Sequence, residues 1–277
     1  QAVRSNIEVV VVFDRSEPDR ALEQLGDPDV GRTVVVTTNT RSPGLAGARN
    51  SGVAAADHDW IAFCDDDDEW LDGKLEAQFA AIATQPDARV ATTGVFIHFE
   101  GEDIARIPDP ARLTFVGFLR DRMTEVHPSA TLVARSVIEE IGDVDESIPG
   151  GYAEDYDWLL RAAKVSPIAV APKPLVRVHW HGASFFFERW KTIDDALDYL
   201  VTKHPEFNDH PDGLARIRGQ QAVARAAMGN RRGALRTAKE TFGLNRTERR
   251  IPVAAVVAAG VPAGFVLKTL HRFGKGI

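Results

Sequence analysis

Apolar and polar positions follow one another along the chain in blocks that read as strand, loop and helix in turn. Residues 7–13 (IEVVVVF) form a branched apolar run too short for a helix, which predicts a buried strand. A loop follows at Asp14-Arg15-Ser16-Glu17-Pro18, and residues 19–25 fit a short helix. Residues 33–38 (TVVVTT) predict a second strand. Pro43, Gly44 and Gly47 mark residues 40–47 as a loop, and the Ala-rich residues 48–56 read as a helix. Residues 60–64 (WIAFC) form a third buried strand that runs straight into Asp65-Asp66-Asp67-Asp68. Leu71, Leu75, Phe79 and Ile82 recur at a helical period, and residues 89–99 read as another strand. This alternation predicts an α/β fold: a mostly parallel sheet sandwiched by helices.

The second half repeats the theme more loosely. Residues 129–134 predict a strand, followed by a helix through Ile141 and a turn at Gly150-Gly151. Residues 153–163 read as a helix with Glu154, Asp155 and Asp157 in its first turn, where carboxylates suit the helix dipole. Residues 168–171 and 175–178 read as two short strands. Beyond Phe187 the pattern turns helical, with a hairpin over residues 220–241 that bends at Gly229-Asn230. Residues 251–267 (IPVAAVVAAGVPAGFVL) carry no charge, hold Pro252 and Pro262, and lie between Arg249-Arg250 and Lys268. Three readings fit this run: a segment on a membrane surface, a helix packed in a core or oligomer, or a span at the lower length limit.

Length and composition narrow the picture. The 277 residues suit one large α/β domain with an appendage, or two small domains. An apolar share of 44% beside 26% charged residues excludes disorder as the main state. The single cysteine, Cys64, excludes an internal disulfide framework and a multi-cysteine zinc site. With no apolar leader at the start, a cytoplasmic location is expected, with the C-terminal segment peripheral at the inner membrane face. Gln1 is not a translation start, so the sequence reads as cropped or processed at its N-terminus.

The net charge is −7 and unevenly spread. Residues 231–277 hold ten Lys/Arg against two Asp/Glu, whereas the preceding 230 residues hold 23 against 38. The basic positions sit beside an apolar run without interleaved aromatics, so nucleic acid is not expected as a partner.

Four aspartates and Glu69 directly after a buried strand repel one another unless a cation sits among them. Ligands of open α/β sheets bind at strand C-terminal ends, and oxygen donors of this kind suit Mg²⁺ or Mn²⁺ shared with substrate phosphates. The plain alternative is a solvated acidic loop.

Residues 44–78 (GLAGARNSGVAAADHDWIAFCDDDDEWLDGKLEAQ) resemble the inverting GT-A glycosyltransferases of family 2. The matching features are a Gly-rich loop, an Ala-Arg-Asn-x-Gly helix start, an apolar strand, an Asp-x-Asp, a Trp, then Lys-Leu and Gln. Further elements follow in order: His127-Pro128-Ser129; Ile141-Gly142-Asp143-Val144-Asp145-Glu146; Glu154-Asp155-Tyr156-Asp157 with Arg161; and Arg177-Val178-His179-Trp180-His181-Gly182-Ala183-Ser184. The resemblance covers about residues 7–187. It implies a GT-A-like catalytic domain over residues 1–187, with a nucleotide-binding part to about 99 and an acceptor part beyond. Residues 188–277 form a helical C-terminal region. Two departures stand out. The family's first βα unit, which precedes the strand at Ile7, is apparently missing, and its Asp-Asp-Gly-Ser is here Phe13-Asp14-Arg15-Ser16.

The resemblance also implies roles. Asp65 and Asp67 form the Asp-x-Asp, with Asp67 on a Mn²⁺ or Mg²⁺ ion that bridges the donor diphosphate. Asp65 or Asp66 faces the ribose or the ion's water shell. Arg49 reaches the diphosphate, with a helix-start ion pair as its rival reading. Asp14 binds the base, with a turn cap as its rival. Asp155 is the catalytic base, Glu154 binds acceptor, and Asp157 is structural. His181 or His179 adds a metal ligand or phosphate donor. His127 and Trp158 help build the acceptor wall. The implied activity is a metal-dependent inverting transfer, of hexosyltransferase type, in cell-wall or polysaccharide synthesis. The donor is a nucleotide-sugar, UDP- or dTDP-sugar favoured, and the acceptor a glycan or lipid-linked hydroxyl. The competing readings are a sugar-nucleotide pyrophosphorylase-like enzyme and a catalytically inactive binding module.

Overall fold

The computed structural model describes residues 6–180 and 189–272. Two compact units divide the chain. Gln1–Phe118, Met123–Glu146 and Glu154–Gly182 form the first, and Leu119–Arg122, Ser147–Ala153 and Ala183–Ile277 the second.

The first unit is built on strands. β1 (Ile7–Phe13) and β2 (Arg32–Thr38) pair in parallel, with Ile7 opposite Arg32 and Phe13 opposite Thr38. Helix α1 (Leu45–Ala55) follows β2 and packs against this pair. A six-stranded sheet comprises β3 (Trp60–Ala62), β4 (Asp68–Trp70), β5 (Val90–Phe99), β6 (Glu102–Arg106), β7 (Thr131–Ala134) and β8 (Ile168–His179). Its order is β3-β7-β5-β8-β4, with β6 on β5. Helices α2 (Lys74–Thr84), α3 (Phe115–Arg120), α4 (Arg135–Ile141) and α5 (Glu154–Val165) complete the α/β arrangement.

The sheet is mixed. Among the described residues, only β1 with β2 and β5 with β8 are parallel, so the parallel share is smaller than the βα alternation implies. One reason lies in local chemistry. Glu100 and Gly101 both adopt positive φ (51° and 85°), the geometry of a tight two-residue hairpin, which forces β6 back antiparallel along β5. Strands β4 and β6, which the periodicity misses, are three and five residues long and flanked by charge.

The two short strands expected near the end of this unit are one, β8. Its register against β5 shifts around Thr93, Gly94 and Val95, opposite Pro172-Lys173-Pro174. Prolines lack the N–H that a ladder needs, and the irregularity absorbs them. The core of this unit holds Val90, Ala91, Val95, Leu132, Val133, Ile168 and Val176, all essentially sealed from solvent.

The second unit is helical: α6 (Trp190–Lys203), α7 (Pro211–Ala227), α8 (Arg231–Leu244), α9 (Arg250–Ala258) and α10 (Ala263–Arg272). The hairpin expected at Gly229-Asn230 is the α7–α8 connection, where the Asn230 side chain accepts from Gly233 N–H at 3.0 Å. Small side chains let these helices approach closely: Ala222, Ala226, Ala234, Ala238, Val253, Ala254, Val257 and Ala258 share one core cluster. Arg225 Nε, at 2.9 Å from Asp194, adds an ion pair between α7 and α6. The uncharged run is therefore broken into α9 and α10, and the inner face of α9 is spent on this core. Among the described residues no helix is long and apolar enough to cross a membrane.

Candidate active site

The acidic turn hangs between β3 and β4. Strand alternation makes Asp68 an inward residue of β4, in register with Val178, while Glu69 points to the other face and meets Arg177 at 2.6 Å. Ser129 organises the turn. Its hydroxyl donates to Asp68 Oδ2 at 2.6 Å and accepts from the Asp65 N–H at 3.0 Å. The Ser129 N–H points at His127 Nδ1 (3.4 Å), which lies 3.3 Å from Asp68 Oδ2. Asp65, Asp68 and His127 thus each offer a ligand atom, all within 4.8 Å of one another. Two carboxylates and one imidazole fit a divalent cation. Burial raises the Asp68 carboxyl above its ordinary pKa, although Ser129 and His127 pull it back.

Asp66 and Asp67 occupy the exposed tip of the turn, outside this cluster. His127, expected on the acceptor wall, lies with the aspartates. His181 lies outside the described residues. His179 is on β8, 3.4 Å from Glu69 and on the face away from Asp68.

Arg49 projects from α1 and is enclosed. Its Nη2 meets Asp65 Oδ1 at 2.8 Å and its Nη1 meets Glu154 Oε1 at 2.9 Å. Burial opposes its charge, but Asp65 and Glu154 outweigh burial and hold its pKa above the usual value. Glu154 opens α5 and is buried, whereas Asp155 is half-buried and lines a pocket with Arg49, Phe63, Pro128, Thr131, Val144 and Trp158. Trp158 is mostly buried there, edge-on to Phe63 with ring centroids 6.2 Å apart. Asp157 is sealed and paired with Arg161 at 2.9 Å. The start of α5 follows a run of left-handed backbone: Gly150, Gly151 and Ala153 have φ of 60°, 70° and 68°.

Asp14 takes the turn-cap arrangement. Its carboxylate accepts from Asn39 Nδ2 at 2.8 Å and from the Gly44 N–H at 3.0 Å. Four supporting residues carry no assigned role in the sequence reading. Asp68 and Ser129 are two of them. Asn50 and Glu146 are the others: Asn50 bonds both backbone groups of Val144 and, at 2.7 Å, Glu146. All four lie inside the matched motifs, so motif membership was the available signal.

Lys74 is another buried charge below the turn. Its ammonium sits 3.8 Å from the Trp70 ring centroid and 3.1 Å from Gln78 Oε1. Burial pushes its pKa down to about 7. A depressed lysine contributes stability above its unfolded pKa and loses it as pH falls toward the folded value. The stability gap between Lys74→Met and wild type is therefore expected to widen in the variant's favour from pH 9 to pH 7. The change is about 1 kcal/mol per pH unit, reduced by the Trp70 face. Urea unfolding of both proteins at each pH checks this, and parallel pH curves would refute it.

Residues 1–142 match the family described as Glycosyl transferase family 2, just over half of the chain. The chain belongs to that family. An uncharacterized glycosyltransferase of Bacillus subtilis, YwdF, is 30% identical over 163 residues, covering 57% of this chain and 57% of the relative. An uncharacterized glycosyltransferase of Haemophilus influenzae is 25% identical over 163 residues, covering 58% of this chain and 53% of the relative. The chain thus spans little more than half of these curated glycosyltransferases. Among solved structures, TarS 1–349 of S. aureus in complex with UDP-GlcNAc has a TM-score of 0.56 at 16% identity, over 97% of this chain and 83% of that one. A mannosyltransferase, PcManGT of Pyrobaculum calidifontis, in complex with GDP-Man and Mn²⁺, has a TM-score of 0.51 at 16% identity, over 91% and 78%. At these identities the likeness is one of fold, and that fold is the GT-A-like arrangement expected for family 2.

Proposed function

We propose that this chain transfers a sugar, with inversion, from a nucleotide-diphospho-sugar to a hydroxyl of a glycan or lipid-linked acceptor, and that the transfer depends on a divalent cation. One observation carries the reading. Arg49 touches both Asp65, in the cation-binding cluster, and Glu154, next to the pocket carboxylate Asp155. The two halves of a transferase site would lie side by side.

In this reading the acceptor hydroxyl enters beside Asp155. Its oxygen attacks the anomeric carbon from the side opposite the diphosphate, and Asp155 takes the hydroxyl proton. The bond from the anomeric carbon to the phosphate oxygen breaks, and its electron pair stays on the leaving diphosphate. A bound divalent cation supplies charge neutralisation for that leaving group. Asp65, Asp68 and His127 would hold the cation. The family resemblance adds Asp67 at the tip of the same turn, with Asp66 toward the nucleoside. A UDP- or dTDP-sugar donor is the favoured choice, and complexes of the fold neighbours with UDP-GlcNAc or with GDP-Man and Mn²⁺ support a nucleotide-sugar.

The test is turnover of a nucleotide-sugar panel with a range of acceptors, with and without Mn²⁺, followed by NMR of the product's anomeric configuration. Mn²⁺-dependent transfer with inversion is expected. Cation-independent transfer, retention, or no turnover of any donor would overturn the reading.

A further inference from the structure

We infer that Arg49 is a positioning residue, which joins the donor-side carboxylate Asp65 to the helix that carries Asp155 by way of Glu154. The inference rests on the transferase reading and deepens it. It departs from the expectation that Arg49 reaches the donor diphosphate.

The geometry favours the internal role. Both terminal nitrogens of the guanidinium are engaged by carboxylates at 2.8 and 2.9 Å. The side chains are enclosed, with exposures of 10% for Arg49, 7% for Glu154 and 22% for Asp65. Nε is buried without a hydrogen-bond partner, so the two ion pairs do most to set where the group sits. A diphosphate that displaced either carboxylate would leave it unpaired in a largely enclosed place.

The ion pair also has a consequence along α5. Successive helix residues point about 100° apart. Holding Glu154 inward against Arg49 therefore constrains the rotation of the first turn, and with it the position of the half-buried Asp155 that follows. On the other side, Arg49 occupies one oxygen of Asp65 while Ser129 holds its backbone N–H. One guanidinium thus sets the direction of two carboxylates with different tasks, one in the cation cluster and one beside the acceptor. Lysine cannot copy this, because its ammonium lacks the planar fork that serves two acceptors at fixed angles.

The experiment compares wild type with Arg49→Met, Arg49→Lys, Glu154→Gln and the double variant Arg49→Met/Glu154→Gln. It reads kcat, donor KM and, separately, the Kd of UDP in the presence of Mn²⁺. Arg49→Met is expected to lower kcat about 10²-fold, the scale of a small misplacement of reacting groups. At Mn²⁺ concentrations that saturate each variant, the UDP Kd should stay within about threefold of wild type, since uniform donor binding is untouched. Arg49→Lys should restore kcat only in part. The double variant should be no slower than Arg49→Met, because both changes break one link. It also leaves no lone Glu154 charge, so it serves if Arg49→Met alone does not fold.

A tenfold or greater loss of UDP affinity with kcat retained would overturn the inference and return Arg49 to the diphosphate. Additive losses from Arg49→Met and Glu154→Gln would overturn it too. Wild-type protein that turns over no donor fails the transferase reading itself. That result differs from active wild type matched by an equally active Arg49→Met, which fails only the positioning role.

Discussion

Asp155→Asn is expected to bind donor as wild type does and to transfer sugar about 10²–10⁴-fold more slowly, the usual contribution of a positioned general base. The isosteric amide preserves shape and one acceptor oxygen but cannot take the acceptor proton. The expectation is specific to Asp155 because of how the first turn of α5 is used. Asp157 is sealed and committed to Arg161, and Glu154 is held by Arg49. Asp155 alone of the three carboxylates is half-buried on the pocket wall. Glu154→Gln should be damaging too, but through kcat losses shared with Arg49 variants. Asp157→Asn should show itself as lower thermal stability. Single-turnover rates with saturating donor separate the cases. An Asp155→Asn protein with full transfer activity would remove Asp155 from the mechanism.

Asp65→Asn is expected to raise the Mn²⁺ concentration for half-maximal activity by more than any change behind the cluster. A residue that only orients a metal ligand typically contributes about 10–100-fold in metal affinity, so losing a direct ligand should cost at least as much. Ser129→Ala provides the internal scale. It removes the hydroxyl that donates to Asp68 and supports the Asp65 backbone, without taking away a ligand atom. Asp67→Asn separates the two sources of the assignment. The motif gives Asp67 to the cation, whereas the geometry gathers Asp65, Asp68 and His127. A Mn²⁺ titration in which Asp67→Asn fails as badly as Asp65→Asn, while Asp68→Asn behaves as wild type, would move the cation to the tip of the turn. Unchanged Mn²⁺ dependence in Asp65→Asn would dissolve the site.

Much of the fold can be read from the sequence because its strongest signals are long and periodic. Strand β1 covers the branched run from Ile7 to Phe13, and α4 ends at Ile141 as the pattern requires. What pattern cannot supply is pairing. The Glu100-Gly101 hairpin and the fusion of two apolar stretches into β8 depend on partners distant in the chain or on backbone geometry that no periodicity encodes. The candidate site divides in the same way. Motif spacing marks Arg49, the Asp65–Asp68 turn and the start of α5 as chemistry-bearing. It does not reveal that alternation in a three-residue strand turns Asp68 inward, that Ser129 bridges the turn, or that Arg49 is enclosed by carboxylates. Those follow from which side chains share a face after folding. Asp14 illustrates the limit from the other side, since an aspartate after a strand looks the same whether it meets a ligand or caps a loop.

The left-handed run before α5 bears on how damage to this protein would be distributed. Gly150 and Gly151 hold φ values that side chains rarely adopt, and a Cβ at Gly150 would sit 2.4 Å from Thr192 Cγ2. Ala153 already bears such a value despite its side chain. These positions touch no proposed ligand, yet they set where Glu154 and Asp155 begin. In a mutational screen scored only by activity, they would be indistinguishable from the chemical centre. The fragile surface of this chain is wider than its candidate site, and it extends into backbone that performs no chemistry.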